Sequence, residues 1–248
     1  MLLDNILFFV FGLILGSFIN VIIQRIPKGI SIIRPRSFCF LCKYKIPFYR
    51  NIPLFSYLIQ RGKCSNCNEN ISHQYIVIEF LIGILWLYSS FVFNNFYVII
   101  NFSMISSFLI AITVIDYKHF IIPIEITTFI FLFLSLEYFF DKSILLNLQG
   151  AFVGSIYLLL ILLITWLITK RQGLGYGDIQ LIFVLGYWLG IYKILFVIFF
   201  SALSAIIFWL ILNYLKEYDK NRALPFGSFL CINSIIFYQI EINYLFRL

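Results

Sequence analysis

Long apolar stretches dominate the chain, and polar residues are concentrated in the connections between them. A helix that crosses a lipid bilayer needs about 20 mostly apolar residues. Seven stretches approach that length, and an eighth, 179–192, is shorter and gives the weakest prediction. The seven longer stretches are 6–23, 76–93, 96–115, 126–140, 148–168, 194–212 and 229–245. The pattern predicts an all-α polytopic membrane protein with about eight transmembrane helices.

The composition supports a membrane protein and excludes most other classes. Of the 248 residues, 62% are hydrophobic and only 12% are charged, whereas soluble domains are roughly one quarter charged. If this chain folded as a soluble protein, it would have too few polar residues to cover its apolar interior. A soluble enzyme, a disordered chain, a collagen-like rod and a disulfide-stapled secreted module are therefore excluded.

The basic residues indicate an orientation in the membrane. If all eight stretches cross, 15 of the 18 Lys and Arg residues lie on one side, in the connections 24–75, 116–125, 169–178 and 213–228. The positive-inside rule makes that side cytoplasmic and places both termini outside. The net charge of +7 is thereby explained by topology. Because no module combines basic and aromatic residues, we expect no nucleic-acid partner.

The longest polar connection, residues 24–75, is called the cysteine loop below. It contains Cys39 and Cys42, then Cys64 and Cys67, as two Cys-x-x-Cys pairs with 21 residues between them. Four thiolates at this spacing suit one tetrahedral ion, and zinc is the usual one. Two disulfides, an iron–sulfur cluster and plain buried thiols are the alternatives, and the predicted cytoplasmic location disfavours disulfides. A structural zinc site is the preferred interpretation.

Three acidic residues lie at the ends of predicted membrane helices, where ionisable groups are costly and indicate function. Glu79 is one turn into the second stretch, Asp116 ends the third, and Asp178 precedes the sixth. Each could instead simply cap a helix. However, Asp178 follows Gly175-Tyr176-Gly177, where glycines permit close approach of another chain segment. Asp116 and Asp178 are also predicted at the same, cytoplasmic, boundary.

Two aspartates brought together can share a proton and act as a pair. The ionised carboxylate deprotonates a water molecule while its protonated partner donates a proton to the substrate carbonyl. This is aspartic-protease chemistry. A transporter that uses buried acids for ion coupling is an alternative, but it predicts acids near the bilayer middle and an inverted repeat.

An ordered set of motifs extends through most of the chain and resembles a known family, the bacterial type IV prepilin peptidases. The set comprises Gly-Leu-Ile-Leu-Gly-Ser-Phe-Ile-Asn-Val at 12–21, Arg25, Pro27, Pro35-Arg36-Ser37, Asn51-Ile52-Pro53, Gly62, Tyr75, Glu79, Asp116, Gly175-Tyr176-Gly177-Asp178 and Pro225-Phe226-Gly227. Presenilin-like intramembrane proteases share Gly-x-Gly-Asp, but they lack the cysteine loop and the Gly-Ser-Phe-x-Asn stretch.

The resemblance implies a bifunctional enzyme of the bacterial inner membrane. Such an enzyme removes the basic leader of type IV prepilins or pseudopilins on the cytoplasmic face, after a glycine. It then methylates the new N-terminal residue, often phenylalanine, with S-adenosylmethionine. By resemblance Asp116 and Asp178 are the catalytic aspartates, Gly175, Tyr176 and Gly177 shape the active site, and the cysteine loop binds zinc. Glu79 is a candidate helper for substrate or methyl transfer.

The predicted organisation is a first helix (1–23), the cysteine loop (24–75) and a seven-helix peptidase region (76–248), with the zinc loop and active site facing the cytoplasm. The sequence indicates neither the S-adenosylmethionine site nor an oligomeric state. Three positions depart from the pattern of the family. Phe40 stands where proline is common, Ile124 where an acidic or amide residue is usual, and Gln180 where lysine is common. None removes a predicted catalytic group or metal ligand, so these departures bear on substrate preference and methylation.

Overall fold

The regular secondary structure is helical in the part of the chain that the computed structural model describes, which is residues 2–39, 41–141, 144–170, 175–215 and 224–240. Most of the described residues between 29 and 73 form turns and irregular loops. Within these residues, pairing between extended segments is limited to two isolated bridges. The helices are α1 (Leu2–Arg25), α2 (Phe55–Ile59), α3 (Gln74–Val92), α4 (Phe96–His119), α5 (Ile124–Asp141), α6 (Ile144–Thr169), α7 (Tyr176–Tyr214) and α8 (Phe226–Gln239).

Five of these helices, α1, α3, α4, α6 and α7, are long and apolar enough to cross a membrane. The predicted class, an all-helical membrane protein, is thus confirmed, whereas the number of spans stays a prediction. The chain divides into two compact units, residues 1–111 and 112–248, and the boundary falls within α4.

In the first unit, α1 packs closely on α3 through small residues. A methyl group added to Gly16 would lie 2.7 Å from the Cα of Glu79, and one added to Gly12 would lie 2.9 Å from the Ile82 carbonyl oxygen. The buried Trp86 then links α3 to α4, since its Nε1 donates to Ser107 Oγ at 3.1 Å. Gly12 and Gly16 are four residues apart, a spacing of small residues that predicts close approach of two helices in lipid.

In the second unit, α6 and α7 approach each other through Gly150 and Gly186. A methyl group at either position would collide with the backbone carbonyl of the other. A methyl group at Gly150 would also lie 2.7 Å from the Cα of Gly190. Because these obstacles are backbone atoms, no side-chain rearrangement can relieve them.

Gly150→Ala is accordingly expected to destabilise the protein by about 1–3 kcal/mol, the usual cost of overpacking. Thermal unfolding of the purified protein in detergent measures the effect as a lower midpoint. Leu160→Ala, on the exposed face of the same helix, is the control and should change the midpoint less. An unchanged midpoint in Gly150→Ala would contradict the close contact between α6 and α7.

The predicted stretches 179–192 and 194–212 are continuous in the structure, where they form α7. Gly190 interrupts this helix with φ 77° and ψ 178°. Glycine adopts that conformation readily, whereas other residues are strained there. The two predicted helices therefore meet directly at a break in the backbone, without a connecting loop.

The last helix, α8, packs along α7. Ser201 Oγ donates to the Phe229 carbonyl at 3.1 Å, and the Trp188 and Tyr238 rings stack with centroids 4.5 Å apart. The helix ends at Gln239, while the end of the predicted stretch 229–245 lies outside the described residues. The first contact lies near the start of α8 and the second near its end, so α8 is held against α7 along its length. The start of α8 contributes to the candidate active site.

Candidate active site and metal centre

Asp116 lies in the last turn of α4 and is buried, with 5% of its surface exposed. Its Oδ2 accepts a hydrogen bond from the Ser228 backbone N–H at 2.7 Å and lies 2.9 Å from the Ser228 hydroxyl. That hydroxyl also lies 3.0 Å from the Thr113 carbonyl oxygen. The start of α8 therefore holds one carboxylate oxygen of Asp116 in place from two directions.

Asp178 lies in the first turn of α7 and is also buried, with 8% exposed. The Gly175 N–H donates to Asp178 Oδ2 at 3.1 Å, and the Asp178 N–H donates to the Gly175 carbonyl at 3.2 Å. This reciprocal pair is a helix-capping arrangement. Asp178 therefore contributes to the cap of α7, but it does so from the third position of a helix that begins at Tyr176, and not as the residue that precedes the helix. The bond to Gly175 also fixes the direction of the Asp178 side chain.

Ile122, in the connection between α4 and α5, contacts the starts of both α7 and α8. A methyl group at Gly177 would lie 3.1 Å from the Ile122 Cβ. One at Gly227 would lie 2.8 Å from the Ile122 Cδ1 and 3.1 Å from Asp116 Oδ2. Without side chains at these two glycines, both helix ends can approach the end of α4.

The two aspartates are close enough to interact electrostatically. Both are buried, and they come from helix ends separated by 62 residues of chain. Two carboxylates in this arrangement favour a state in which one is ionised and the other protonated. Such a pair can take a proton from water and give another to a carbonyl oxygen, which is the requirement for hydrolysis of a peptide bond.

The remaining predicted site residues differ in their surroundings. Gly175 and Gly177 lie beside the aspartates as described, whereas the Tyr176 side chain is 75% exposed. Glu79 lies in α3 of the first unit and is 7% exposed. Its Oε2 accepts a hydrogen bond from the Leu54 N–H at 2.8 Å, and Ser17 also bonds to its side chain.

Of the three positions that depart from the family pattern, the structure describes Ile124 and Gln180. Phe40 lies outside the described residues. Ile124 begins α5 and is 61% exposed. The Gln180 amide donates to the Thr127 hydroxyl, which joins α7 to α5. A neutral side chain suits this contact because Thr127 is buried.

Ser228 is the residue that the sequence reasoning missed. The motif Pro225-Phe226-Gly227 ends one position before it, so the motif was the available signal for a contact from this segment. A serine is common and carries no distinctive spacing, and its aspartate partner is 112 residues away. Its contact with Asp116 is a feature of the tertiary structure.

Ser228→Ala is expected to lower the turnover number for peptide cleavage by about 10–100-fold, with KM little changed. The reason is that a hydrogen bond to a charged group contributes about 1.5–3 kcal/mol. Steady-state cleavage of a peptide substrate measures both constants. Ser234→Ala is the matched control, because Ser234 is buried in the same helix but donates to the Leu230 carbonyl. Equal rates in the two variants would contradict a positioning role for Ser228.

The four cysteines of the cysteine loop converge on one point. Their sulfur atoms all lie within 4.8 Å of one another, with Cys39 and Cys67 at 3.9 Å and Cys42 and Cys64 at 4.0 Å. These separations are too long for a disulfide bond of about 2.05 Å. Four thiolates around a tetrahedral zinc ion, each about 2.3 Å from it, would lie about 3.8 Å apart. The cluster can therefore hold a metal ion.

The two pairs of cysteines have the same backbone construction. The Cys39 N–H donates to the Tyr44 carbonyl and the Lys43 N–H to the Cys39 carbonyl. In the second pair the Cys64 N–H donates to the Glu69 carbonyl and the Asn68 N–H to the Cys64 carbonyl. A short antiparallel bridge flanks each turn, Phe38 with Lys45 and Lys63 with Asn70. Each turn therefore presents two sulfurs on the same side.

The surroundings of the sulfurs favour thiolates at two positions. A hydrogen bond from the Tyr44 backbone lowers the pKa of Cys42 to about 6. Backbone hydrogen bonds from Cys67 and Asn66 lower the pKa of Cys64. At Cys67 the Glu69 backbone acts in the same direction, but burial and the three neighbouring thiolates outweigh it and raise the pKa to about 12. A cation among the sulfurs would remove this repulsion, because metal ligands must be deprotonated.

These features together define a class: an all-helical membrane protein with a buried aspartate pair and a four-cysteine metal centre. Residues 10–93 match the Bacterial Peptidase A24 N-terminal domain, and residues 103–210 match the Type IV leader peptidase family. No solved structure matches the chain.

Curated relatives are named "Prepilin leader peptidase/N-methyltransferase". The protein from Bacillus subtilis is 33% identical, over 93% of this chain and 92% of the relative. The Neisseria gonorrhoeae protein is 30% identical, over 92% and 88%. The Myxococcus xanthus protein is 34% identical over 79% of this chain, but the match spans only 59% of that relative. The chain therefore belongs to the type IV leader peptidase family, whose named members combine peptidase and N-methyltransferase activities.

Proposed function

We propose that the chain removes the leader peptide of type IV prepilins or pseudopilins and then methylates the new N-terminus. The observation that carries this proposal is the convergence of Asp116 and Asp178, both buried, with the start of α8 beside them. The names of the relatives supply the substrate class. Gly175 and Gly177 allow close approach of the chain at this point, while Tyr176 belongs to the rim of the site.

Cleavage proceeds by direct attack of water on the scissile carbonyl carbon. The ionised aspartate removes a proton from the water, and the protonated aspartate donates its proton to the carbonyl oxygen. When the tetrahedral intermediate collapses, the C–N bond breaks and the nitrogen takes up the proton that the first aspartate removed from water. A hydroxyl of the intermediate returns its proton to the second aspartate, which restores the pair. The products are a leader with a new carboxylate and a pilin with a free N-terminal amine. The Ser228 backbone and hydroxyl hold Asp116 in position for these transfers.

The location of the cut follows from the topology that the basic residues predict. A prepilin has a basic leader in the cytoplasm and an apolar helix in the bilayer. We place the aspartates at the cytoplasmic boundary of an inner-membrane protein, with the cysteine loop on the same side and both termini outside. In this arrangement the chain consists of a first helix (1–23), the cysteine loop (24–75) and a peptidase region (76–248).

Zinc is the metal that we assign to Cys39, Cys42, Cys64 and Cys67. Four protein ligands complete a tetrahedral shell and leave no position for a catalytic water, so this site is structural. S-adenosylmethionine is the methyl donor that the second activity requires. When bound, it supplies a methyl group: the N–C bond forms as the S–C bond breaks, leaving a neutral thioether, and the amine nitrogen releases a proton to water.

A synthetic prepilin with a basic leader, a glycine at the cut and an apolar helix tests both activities of the purified protein in detergent. We expect mass spectrometry to show loss of the leader, and then a gain of one methyl group only when S-adenosylmethionine is present. Cleavage within the apolar helix would instead indicate an intramembrane protease. An intact peptide would contradict the proposed peptidase activity.

A further inference from the structure

The first unit contains a cavity of about 370 Å³ between the cysteine loop, the end of α1 and the start of α3. Pockets for small organic ligands have volumes of roughly 300–1,000 Å³. The proposed cleavage chemistry uses only residues of the second unit, so it leaves this cavity without a role. The residues that line it include two buried charges of opposite sign, Arg25 and Glu79.

Arg25 is 4% exposed, and its guanidinium is held by backbone carbonyls. It donates to Ser31 at 2.9 Å, to Pro35 at 2.8 Å and to Arg36 at 3.3 Å. An arginine has five N–H donors, so some remain for another acceptor. Among the described residues, no carboxylate forms an ion pair with it. Arg25 is therefore a firmly held cation that has no ion-pair partner within the described part of the chain.

Glu79 is the acidic counterpart of Arg25 in this cavity, since it is also buried and held by hydrogen bonds. Its carboxylate accepts hydrogen bonds from the Leu54 backbone and from the Ser17 side chain. In the part of the chain that the structure describes, no lysine or arginine forms an ion pair with it, Arg25 included. A buried charge without a partner is costly. Two such charges of opposite sign that line one cavity are suited to a ligand that carries both charges itself.

Aromatic side chains line the same cavity. Phe38, Tyr57 and Tyr75 are among them, and Phe38 already lies below the Arg25 guanidinium, whose carbon is 5.5 Å from the ring centroid. The Tyr57 hydroxyl is 2.9 Å from His73 Nδ1, which fixes that ring. Flat aromatic surfaces favour stacking with a planar base. The lining thus combines a site for a planar ring with separate sites for a cation and an anion.

We propose that this cavity binds S-adenosylmethionine, with Glu79 facing its cationic groups, Arg25 facing its carboxylate, and the aromatic residues beside its adenine. The proposal rests on the methyl transfer proposed above and assigns it to a place in the chain. The ligand has a planar base, a sulfonium, an ammonium and a carboxylate, which is the combination that the lining accommodates.

Isothermal titration of the purified full-length protein with two ligands tests this assignment. S-adenosylmethionine carries the charged groups, whereas methylthioadenosine has the adenosine and the thioether without them. We expect Glu79→Gln to weaken binding of S-adenosylmethionine by about 10–100-fold, the usual loss for a bond to a charged group. Binding of methylthioadenosine should stay within about twofold, because the adenine contacts are unchanged. Glu125→Gln, an exposed acid in the first turn of α5, should alter neither.

Equal affinities for S-adenosylmethionine in the wild type and Glu79→Gln would overturn the assignment, while methylation by the wild type would leave the proposed function intact. Equal losses for both ligands would also overturn it, since they indicate collapse of the cavity rather than loss of a charge contact. A wild type that neither binds nor methylates would overturn the site together with the proposed methyl transfer.

A second measurement needs no variant. Ultraviolet crosslinking of labelled S-adenosylmethionine to the wild-type protein, followed by digestion and mass spectrometry, identifies the peptides beside the ligand. We expect label within residues 17–79, in the peptides that contain Tyr57 or Tyr75. Label recovered only from residues 112–248 would overturn the proposal.

Discussion

Asp178→Asn is expected to reduce leader cleavage by on the order of 10³-fold or more, and Asp116→Asn by a similar factor. A catalytic acid or base contributes about 10²–10⁴-fold to a rate, and an amide can serve neither role in the proposed proton transfers. Asparagine preserves the size of the side chain and can still accept the bonds from Ser228 or Gly175. The variants should therefore fold.

Single-turnover cleavage of a synthetic prepilin, with enzyme in excess, measures this loss without a contribution from product release. Asp4→Asn provides a control, because Asp4 is an exposed acid in the first turn of α1. Its rate should equal that of the wild type. Unfolding midpoints of the aspartate variants should remain close to the wild-type value. Near-normal cleavage by either variant would remove that residue from the proposed mechanism.

Removal of the metal from the cysteine cluster is expected to unfold the cysteine loop. The α-helix in the segment 26–73, α2, has only five residues. Among the residues of this segment that the structure describes, Cys64 is the one counted in the buried hydrophobic core. A segment with so small a core depends on its metal. In zinc-finger peptides, metal binding contributes about 10–16 kcal/mol, and that binding energy drives folding.

Limited proteolysis with and without a chelator measures this effect. We expect new cuts between residues 26 and 73 after chelation, and the same cuts in Cys64→Ser without chelator. Cys231→Ala is the control for loss of a thiol outside the cluster, since Cys231 is buried in α8. The cysteine loop of this variant should remain resistant to the protease. Re-addition of zinc should restore resistance to the chelated protein. A digestion pattern that does not change on chelation would show that the loop folds without metal.

The sequence predicts well the features that depend on local spacing. Apolar stretches of bilayer length predict helices, and the two Cys-x-x-Cys pairs predict a cluster whose sulfurs the structure brings together. Glycines four residues apart predict the contacts of Gly16 and Gly150 with neighbouring helices. In each case the physical cause acts within a few turns of helix or within one loop, so the pattern is visible in the chain itself.

Features that depend on long-range packing were not predictable in the same way. The bonds from Ser228 to Asp116 join segments 112 residues apart, and no spacing rule identifies them. The break at Gly190 joins two predicted helices directly, because glycine adopts a backbone conformation there that replaces a loop. The opposite charges of Arg25 and Glu79 become informative only when the fold places both on one cavity.

The central claim, that Asp116 and Asp178 act as one catalytic pair, is tested most directly by single-turnover leader cleavage in the two Asn variants and in the double variant. Residues that act as a unit are strongly non-additive, because loss of either one removes the whole mechanism. We expect the double variant to cleave about as slowly as either single variant. A double variant in which the two losses multiply would contradict the pair, because it would show that the two aspartates contribute independently.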